Sequence, residues 1–308
     1  MTAALRTLLT NIIDYAGLFP PAALPLDAAI HNYADYLKSP DRWMLARFIC
    51  PAARLHELKP YLDELFTNAL EPLTVSTLAR GGKDPIDLIA NLEADLAEVK
   101  SLRAVAGDRA KLDAVEIRAF ADPAQNGEVL DHISGRLNDL ELRGFLEVPW
   151  MPDDRQSVRD NACAFAERKL GFKLRTGGTE AAAFPTSNTI ARAIIACRDA
   201  KCALKFTAGL HHPIRAFHQS VNTTMHGFIN AFAAGVLAHT HGMDEHGVAE
   251  ILNTEAAADF SFDEYGLRWK TLNATRQRIE QVRTGGLISF GSCSFDEPRE
   301  DLRTLGWM

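Results

Sequence analysis

Two lysines, each in the middle of a short apolar stretch, are the residues of this 308-residue chain best suited to chemistry. Lys173 lies in GFKLRTGG with Arg175 two residues later, and Lys205 lies in LKFTAG with Thr207 two residues later. Side chains at positions i and i+2 of a strand share a face, so each pair projects in one direction. A lysine that is desolvated beside other cations has a depressed pKa and becomes a nucleophile toward carbonyl carbons. We therefore predict a site for an anionic small molecule at these strands.

Short apolar runs recur along the chain and predict the strands that must position this site. The runs are 43–50, 72–78, 113–119, 143–149, 171–176, 203–208 and 226–231. Helix-length segments separate them, among them 84–102, 153–169, 187–200 and 232–253. This alternation predicts βα units and a parallel sheet.

Seven βα units need an eighth strand to close a (β/α)8 TIM barrel. The candidates are 258–263 and 287–291, and we prefer the first. We predict a single barrel domain over residues 1–308, with 1–40 as an N-terminal extension and 286–308 as a C-terminal tail over the barrel. The alternative is an open doubly wound parallel sheet. No G-x-G-x-x-G follows the first strand, which argues against a dinucleotide-binding fold of this kind.

Polar side chains interrupt six of the seven predicted strands. They are Arg47, Glu116, Arg118, Glu147, Lys173, Arg175, Lys205 and Asn230. The outer face of a barrel strand packs on helices, and burying an unpaired ion there costs several kcal/mol. These side chains should therefore point into the barrel, toward the carboxyl ends of the strands, where such enzymes keep their active sites. A network of buried salt bridges is the alternative interpretation.

The charge balance of this set favours a bound anion over a closed network. Five of the eight side chains are cationic and two are anionic, within a chain of net charge −7. An excess of buried positive charge needs a partner, most simply a carboxylate or phosphate of the substrate. Arg175, Arg47 and Arg118 would bind it bidentately, while Glu147 or Glu116 would be the acid or base.

The segments after the two lysine strands fit such a site. Thr176, Gly177 and Gly178 follow Arg175, and glycine allows close approach of a ligand to free backbone N–H groups. His211 and His212 follow the second strand and are candidate general acids or bases. We predict no metal site, because adjacent histidines on a loop diverge and no H-x-x-x-H or H-x-H lies near the lysines.

The two lysine strands resemble those of class I (Schiff-base) aldolases of the (β/α)8 type, such as deoxyribose-phosphate aldolase. GFKLRTGG looks like that family's V-K-x-S-G-G strand, and LKFTAG looks like its V-K-T-S-T-G strand, with the order along the chain reversed. The resemblance covers about fifteen of the 308 residues. It implies that Lys205 is the Schiff-base residue and Lys173 its helper.

The composition of the chain indicates which partners and which location to expect. The chain is 47% hydrophobic and 24% charged, which is typical of a globular protein. An acidic balance without a basic run argues against nucleic acid or a membrane surface as partner. Five scattered cysteines that form no C-x-x-C pair favour a cytoplasmic location. We expect no cofactor, and the sequence leaves a homo-oligomer open.

Three hypotheses for function follow. The first is an enzyme, a lyase of aldolase type in its sharpest form, acting on a small carboxylated or phosphorylated carbonyl compound. The second is a phosphoribosyltransferase or an enolising isomerase that uses the same lysines and arginines without a Schiff base. The third is a non-catalytic barrel that binds an anionic metabolite.

Overall fold

The computed structural model describes residues 1–68, 70–120, 123–148 and 155–308. Within them the strands are β1 (Ile13–Tyr15), β2 (Leu45–Pro51), β3 (Leu73–Ala79), β4 (Ala110–Arg118), β5 (Arg143–Glu147), β6 (Gly171–Arg175), β7 (Leu204–Thr207), β8 (Ala216–His218), β9 (Thr223–Met225), β10 (Phe260–Phe262), β11 (Gly266–Trp269), β12 (Leu272–Thr275) and β13 (Leu287–Ser292). The α-helices are α1 (Ala3–Leu9), α2 (Leu26–Lys38), α3 (Lys59–Glu64), α4 (Pro85–Ala106), α5 (Gly127–Asp139), α6 (Arg155–Glu167), α7 (Ser187–Ala200), α8 (Phe228–His241), α9 (Glu245–Leu252), α10 (Arg276–Gly285) and α11 (Asp296–Thr304).

Eight of these strands form a closed barrel in the order β1-β13-β7-β6-β5-β4-β3-β2. All neighbouring pairs are parallel. The predicted (β/α)8 TIM barrel is therefore confirmed, and the open sheet is excluded. Six of the seven predicted strands are barrel strands. The end of the predicted 143–149 strand and the start of the predicted 153–169 helix lie outside the described residues.

The closing strand is β13, so our preference for 258–263 is wrong. Phe260–Phe262 instead begins a three-stranded antiparallel sheet, β10-β11-β12, that leads into α10. All six residues of β13 are buried, as expected for a strand covered on both faces. Residues 286–308, expected as a tail, thus supply a barrel strand followed by α11.

The other unexpected barrel strand is β1, which lies inside the predicted N-terminal extension. It has only three residues, and Gly17 and three prolines follow closely. This brevity explains why the segment looks like the end of a helix running into a loop. Both edges of β1 are paired, to β13 and to β2, so the extension expected over 1–40 is wrong for these residues.

The predicted strand 226–231 is wrong as well, because its residues begin helix α8. Every residue of α8 from Phe228 to Ala238 is buried. A helix that is apolar on all sides shows no 3.6-residue period, so periodicity cannot separate it from a buried strand. Gly235 allows α8 to approach the barrel closely, because a Cβ there would lie 2.3 Å from Leu287 Cδ1.

The core lies between the barrel and its helices, and a small apolar plug fills part of the barrel. Phe206 and Phe290 on barrel strands pack against Phe232 of α8, with ring centroids 5.5 and 6.1 Å away. A separate buried cluster comprises Ala114, Phe145 and Ile288 of β4, β5 and β13, with Ala203 packed against it. Among the described residues, no helix combines the length and apolar character that crossing a membrane requires.

Candidate active site

A cavity of about 870 Å³ opens at the carboxyl ends of the barrel strands. This volume suits a small-molecule ligand. All eight barrel strands, or the segments directly after them, contribute to its lining. Among the lining residues are Glu116, Arg118, Glu147, Lys173, Arg175, Gly178, Thr207 and His211, all of which the sequence predicts as site residues.

A row of side chains with alternating charge runs from inside the barrel into this cavity. In order it comprises Asp14, Lys205, Glu116, Lys173, Glu147 and Arg175. Lys205 Nζ lies 2.8 Å from Asp14 Oδ2 and also contacts Glu116 Oε1. Each charge thus has an opposite charge on at least one side, which is what buried ions require.

Lys173 is the one of the two buried lysines of this row that lines the cavity. Its Nζ lies 2.9 Å from Glu116 Oε2 and 2.7 Å from Glu147 Oε2. Strand register creates this arrangement, because Glu147 and Lys173 are directly paired across β5 and β6. Lys173 of β6 is in turn directly paired with Lys205 of β7. Lys205 lies outside the cavity lining, however, and its side chain is only 1% exposed.

The carboxylates keep Lys173 charged. Burial alone would lower the pKa of Lys173, but Glu116 and Glu147 outweigh burial and raise that pKa above its ordinary value. The effect is mutual. Burial would raise the pKa of Glu116, yet Lys173 and Lys205 hold it far below the ordinary range. Burial also opposes ionisation of Glu147, whose pKa is nevertheless lowered by Lys173 and then by Arg175.

The excess of buried positive charge expected from the sequence is absent from this part of the barrel. The expectation omitted Asp14, which contacts Lys205, and Asp113, which accepts two hydrogen bonds from Arg47 at 2.6 and 2.9 Å. Arg118 and Arg175 are largely exposed, so they do not add to the buried charge. The network of buried salt bridges, kept as the alternative, describes the barrel interior.

The predicted anion-binding arginines separate into two groups. Arg47 is occupied by Asp113 and also contacts Asp14 at 3.7 Å, and it is outside the cavity lining. Arg175 lines the cavity and donates to Glu147 Oε1 at 3.1 Å. Arg118 also lines the cavity, at the end of β4, and its side chain makes no hydrogen bond or ion pair with any other described residue.

The glycine-rich segments after β6 and β7 pack tightly on each other. Thr176 is buried and donates to the carbonyl of Ala208 at 2.6 Å. Gly177 and Gly209 meet so closely that a Cβ on Gly209 would lie 2.6 Å from Gly177 Cα, and Gly209 also has φ +76°. Thr176 and Gly177 therefore brace the wall, whereas Gly178 and Thr207 face the cavity.

The two predicted histidines occupy different environments. His211 lines the cavity, with Nδ1 3.1 Å from Glu297 Oε2 and 4.0 Å from Cys293 Sγ. Burial would lower the pKa of His211, but Cys293 and Glu297 raise it to about 9. His212 is not part of the lining; its Nδ1 contacts Asp301 of α11 at 2.6 Å, and its ring stacks on His218 at 4.0 Å.

Asn230 is a structural residue of helix α8, so its expected position inside the barrel is wrong. Its side chain is fully buried and donates to the carbonyls of Ile251 and Thr254 at 2.9 and 2.8 Å. It also accepts a hydrogen bond from the backbone N–H of Arg215 at 3.0 Å. These contacts join α8 to the end of α9 and to the segment after β7.

This chain is similar to a known protein in its fold and not in its sequence. No protein-family model matches it, and no curated protein matches it by sequence at a significant level. The fold is similar to that of deoxyribose phosphate aldolase from Aeropyrum pernix. That comparison has a TM-score of 0.52 and covers 97% of this chain and 93% of the aldolase, at 9% sequence identity. It establishes the barrel fold.

Several residues of the site were missed from the sequence. They are Asp14, Ser76, Arg80, Asp113 and Ser289. Ser76 donates to Glu116 Oε1 at 2.6 Å, and Ser289 donates to Asp14 Oδ2. Asp14 carries the same signal that identified Lys173 and Glu116, a charged residue inside an apolar run. Here the run is Ile-Ile-Asp-Tyr. Within the described residues, no group of three or more His, Cys, Asp or Glu is arranged to bind a metal ion.

Proposed function

We propose that this protein is a lyase of aldolase type that acts on an anionic carbonyl compound through the amine of Lys173. The observation that carries the proposal is the position of Lys173 Nζ. It lines the cavity while lying within 2.9 Å of the carboxylates of both Glu116 and Glu147. A nucleophilic amine needs a proton acceptor in direct contact, and here it has two.

The proposal moves the Schiff base from Lys205, the residue implied by the sequence resemblance, to Lys173. Lys205 is enclosed by Asp14, Glu116 and the ring of Phe145, whose centroid lies 5.8 Å from Nζ. A substrate carbonyl in the cavity meets Lys173 before it can reach Lys205. In this arrangement Lys205 is a positioning residue that keeps Glu116 ionised.

The chemical steps follow from these contacts. The ammonium of Lys173 passes a proton to Glu147, and the neutral amine attacks the carbonyl carbon, with water leaving as the iminium forms. A carboxylate then takes the proton of the substrate's β-hydroxyl. The carbon–carbon bond breaks with its electron pair entering the iminium, which releases an aldehyde and leaves an enamine. Protonation and hydrolysis of the enamine return the free amine.

A second candidate function has its own support, the raised pKa of Lys173. A lysine that stays charged can stabilise an enolate through its ammonium, while Glu147 removes the α-proton. This describes an enolising isomerase without a covalent intermediate. The two candidates share every residue and differ in whether a carbon–nitrogen bond forms.

Borohydride reduction separates them. The protein is incubated with a panel of 2-oxo acids and sugar phosphates, reduced, and examined by intact mass and peptide mapping. An adduct on the Lys173 peptide, retained in Lys111→Met and lost in Lys173→Met, supports the lyase. Peptide mapping of the wild-type adduct assigns the lysine even if Lys173→Met fails to fold. An adduct on Lys205 would overturn the assignment to Lys173, and isomerisation without any adduct would favour the second candidate.

The remaining expectations stay predictions. The aldolase from Aeropyrum pernix is tetrameric. On that basis we propose that this chain also forms a homo-oligomer, which light scattering of the purified protein tests. The cytoplasmic location and the independence from a cofactor are proposed on the sequence alone.

A further inference from the structure

Two neighbouring parts of the cavity wall differ in polarity, one apolar and one charged, while Thr207, His211 and Cys293 line a third part. The apolar wall comprises Phe19, Pro20, Pro21, Ile49, Ala52 and Leu78. These residues come from β2 and β3 or from the segments after β1 and β2, and the three strands are consecutive in the barrel. The apolar wall is therefore one continuous surface.

The charged side is equally continuous. Glu116, Arg118, Glu147, Lys173 and Arg175 all line the cavity, and they belong to β4, β5 and β6. These strands follow β3 in the barrel order. A ligand that fills the cavity therefore contacts charged groups on one side and hydrocarbon on the other.

Only one guanidinium of the cavity lining, within the described residues, is without a carboxylate partner. Arg175 donates to Glu147 at 3.1 Å, and Arg80 donates to Asp95 at 2.7 Å. Arg118 has no such partner among those residues. A single free guanidinium offers two parallel N–H donors, which match two oxygens of a carboxylate or a phosphate. One guanidinium balances the single charge of a carboxylate but not the second charge of a phosphate monoester.

Strand register places this guanidinium beside the reactive amine. Arg118 pairs with Glu147, and Glu147 pairs with Lys173, so the three residues stand abreast on β4, β5 and β6. Neighbouring strands are about 4.8 Å apart, which separates the backbones of Arg118 and Lys173 by roughly 10 Å. With both side chains reaching into the cavity, one small molecule can span the two groups.

A ligand with several hydroxyl groups would bind poorly against the apolar wall. Pro20 and Pro21 have no backbone N–H, and the side chains of Phe19, Ile49 and Leu78 contain no polar atom. A sugar hydroxyl against this wall would lose its hydrogen bonds to water without a replacement, which is unfavourable. A hydrocarbon group gains there by leaving water.

We propose that the ligand of this cavity is a monocarboxylate with a branched or aromatic hydrocarbon body. Its carboxylate binds Arg118, and its body lies on the apolar wall. The inference deepens the proposed function and rests on it for placing the ligand's carbonyl at Lys173. It narrows the wider class of carboxylated or phosphorylated compounds to an oxo acid whose body is hydrocarbon apart from the β-hydroxyl that the lyase reaction requires.

The test uses probes without a carbonyl group, so that it does not depend on Schiff-base chemistry. Titration calorimetry measures the binding of 4-methylpentanoate, 3-phenylpropanoate, acetate and glycerol 3-phosphate to the wild-type protein. We expect the two apolar carboxylates to bind at least tenfold more tightly than acetate or glycerol 3-phosphate. Their binding should have a negative heat-capacity change, because apolar surface is buried.

Two variants assign the contacts, and each has a matched control. Ile49→Thr should weaken the apolar carboxylates about three- to tenfold, as loss of roughly one methyl-sized contact predicts, and Ile86→Thr, at an 83% exposed site outside the cavity lining, should not. Arg118→Gln should weaken the binding of the apolar carboxylates at least tenfold. Arg168→Gln, which removes a salt bridge to Asp131, should leave that binding unchanged.

Either of two results overturns the inference. One is glycerol 3-phosphate binding as tightly as the apolar carboxylates, and the other is no measurable binding of those carboxylates at 10 mM. Borohydride capture at Lys173 could still succeed in both cases, so failure here is distinguishable from failure of the proposed lyase. Conversely, tight carboxylate binding without any adduct would retain this inference and overturn the Schiff base.

Discussion

The ammonium of Lys205 lies 2.8 Å from Asp14 Oδ2, and this contact joins two barrel strands that are not neighbours. Asp14 is on β1 and Lys205 is on β7, with β13 between them. Both side chains are at most 1% exposed. The same ammonium also contacts Glu116 on β4, so one lysine connects three parts of the barrel circumference.

Removing this ammonium should destabilise the protein severely. Lys205→Met leaves Asp14 and Glu116 as buried anions without their shared partner, and breaking a buried pair in this way costs about 3–5 kcal/mol. Urea denaturation measures the loss in the free energy of unfolding. Lys38→Met is the control, because its pair with Asp35 is exposed and should contribute less than about 1 kcal/mol. A second change, Asp14→Asn in the Lys205→Met background, should recover part of the loss, and equal effects of Lys205→Met and Lys38→Met would contradict the prediction.

The charge state of Lys173 should respond to Glu147. The pKa of Lys173 is raised, against burial, by Glu116 and Glu147, so Glu147→Gln should lower it and make the neutral amine available at lower pH. The pH dependence of reductive methylation, read from the mass of the Lys173 peptide, reports the midpoint. Glu93→Gln removes a carboxylate that contacts Arg136 instead and should leave the midpoint unchanged. A midpoint that is the same in wild type and Glu147→Gln would refute the assigned contact.

Stability should fall between pH 6.5 and pH 9 because of His211. Its pKa is raised from 6.5 to about 9, since Cys293 and Glu297 outweigh the lowering by burial. A group with a raised folded pKa contributes stability that is complete below the unfolded pKa and is lost as pH rises through the folded pKa. At about 1.36 kcal/mol per pKa unit, the loss is at most about 3 kcal/mol. Urea midpoints measured across this range test the prediction.

Two variants of helix α11 give that pH dependence a control. Glu297→Gln removes the carboxylate that contacts His211, so its stability should vary less with pH than that of the wild type. Glu300→Gln makes the same change in charge at an exposed position of the same helix and should retain the wild-type profile. Parallel profiles for wild type and Glu297→Gln would show that the pair does not link folding to pH.

Alanine substitution should have opposite effects on stability at two helical glycines, Gly235 and Gly285. Gly235→Ala places a methyl group 2.3 Å from Leu287 Cδ1 between α8 and the barrel, and overpacking of this kind costs about 1–3 kcal/mol. Gly285→Ala, at the end of α10, meets no atom within 4 Å and should be neutral or stabilise by up to about 1 kcal/mol. Thermal unfolding of both variants decides the matter, and a lower Tm for Gly285→Ala than for Gly235→Ala would contradict the expected packing.

The charged side chains of the row were easier to predict from the sequence than the contacts between them. Lys173, Glu116 and Glu147 are recognisable because a charge inside an apolar strand must point away from the helices. Asp14 obeys the same rule, but its strand has three residues and is too short for a visible period. Which charge meets which depends on how strands far apart in sequence, such as β4 and β7, are placed around the barrel, and no local pattern encodes that arrangement.

The errors in the fold have a similar physical origin. The run from Phe228 to Ala238 is buried on all sides, so it lacks the periodicity that distinguishes a helix from a strand. Phe260–Phe262 and Leu287–Ser292 are both short apolar segments. Only their tertiary neighbours decide that the second one closes the barrel.

The pairing of β1 with β13 has a consequence for how the chain is made. Ile13 lies opposite Phe290, so the barrel cannot close on the ribosome until residues near 290 have been synthesised. Until then β1 and β7 lack the strand that lies between them, so the backbone groups on their facing edges have no partner. Pairing between strands so far apart in sequence is intrinsically slow, and unpaired strand edges favour aggregation. Newly made chains should therefore depend most on chaperones shortly before β13 emerges.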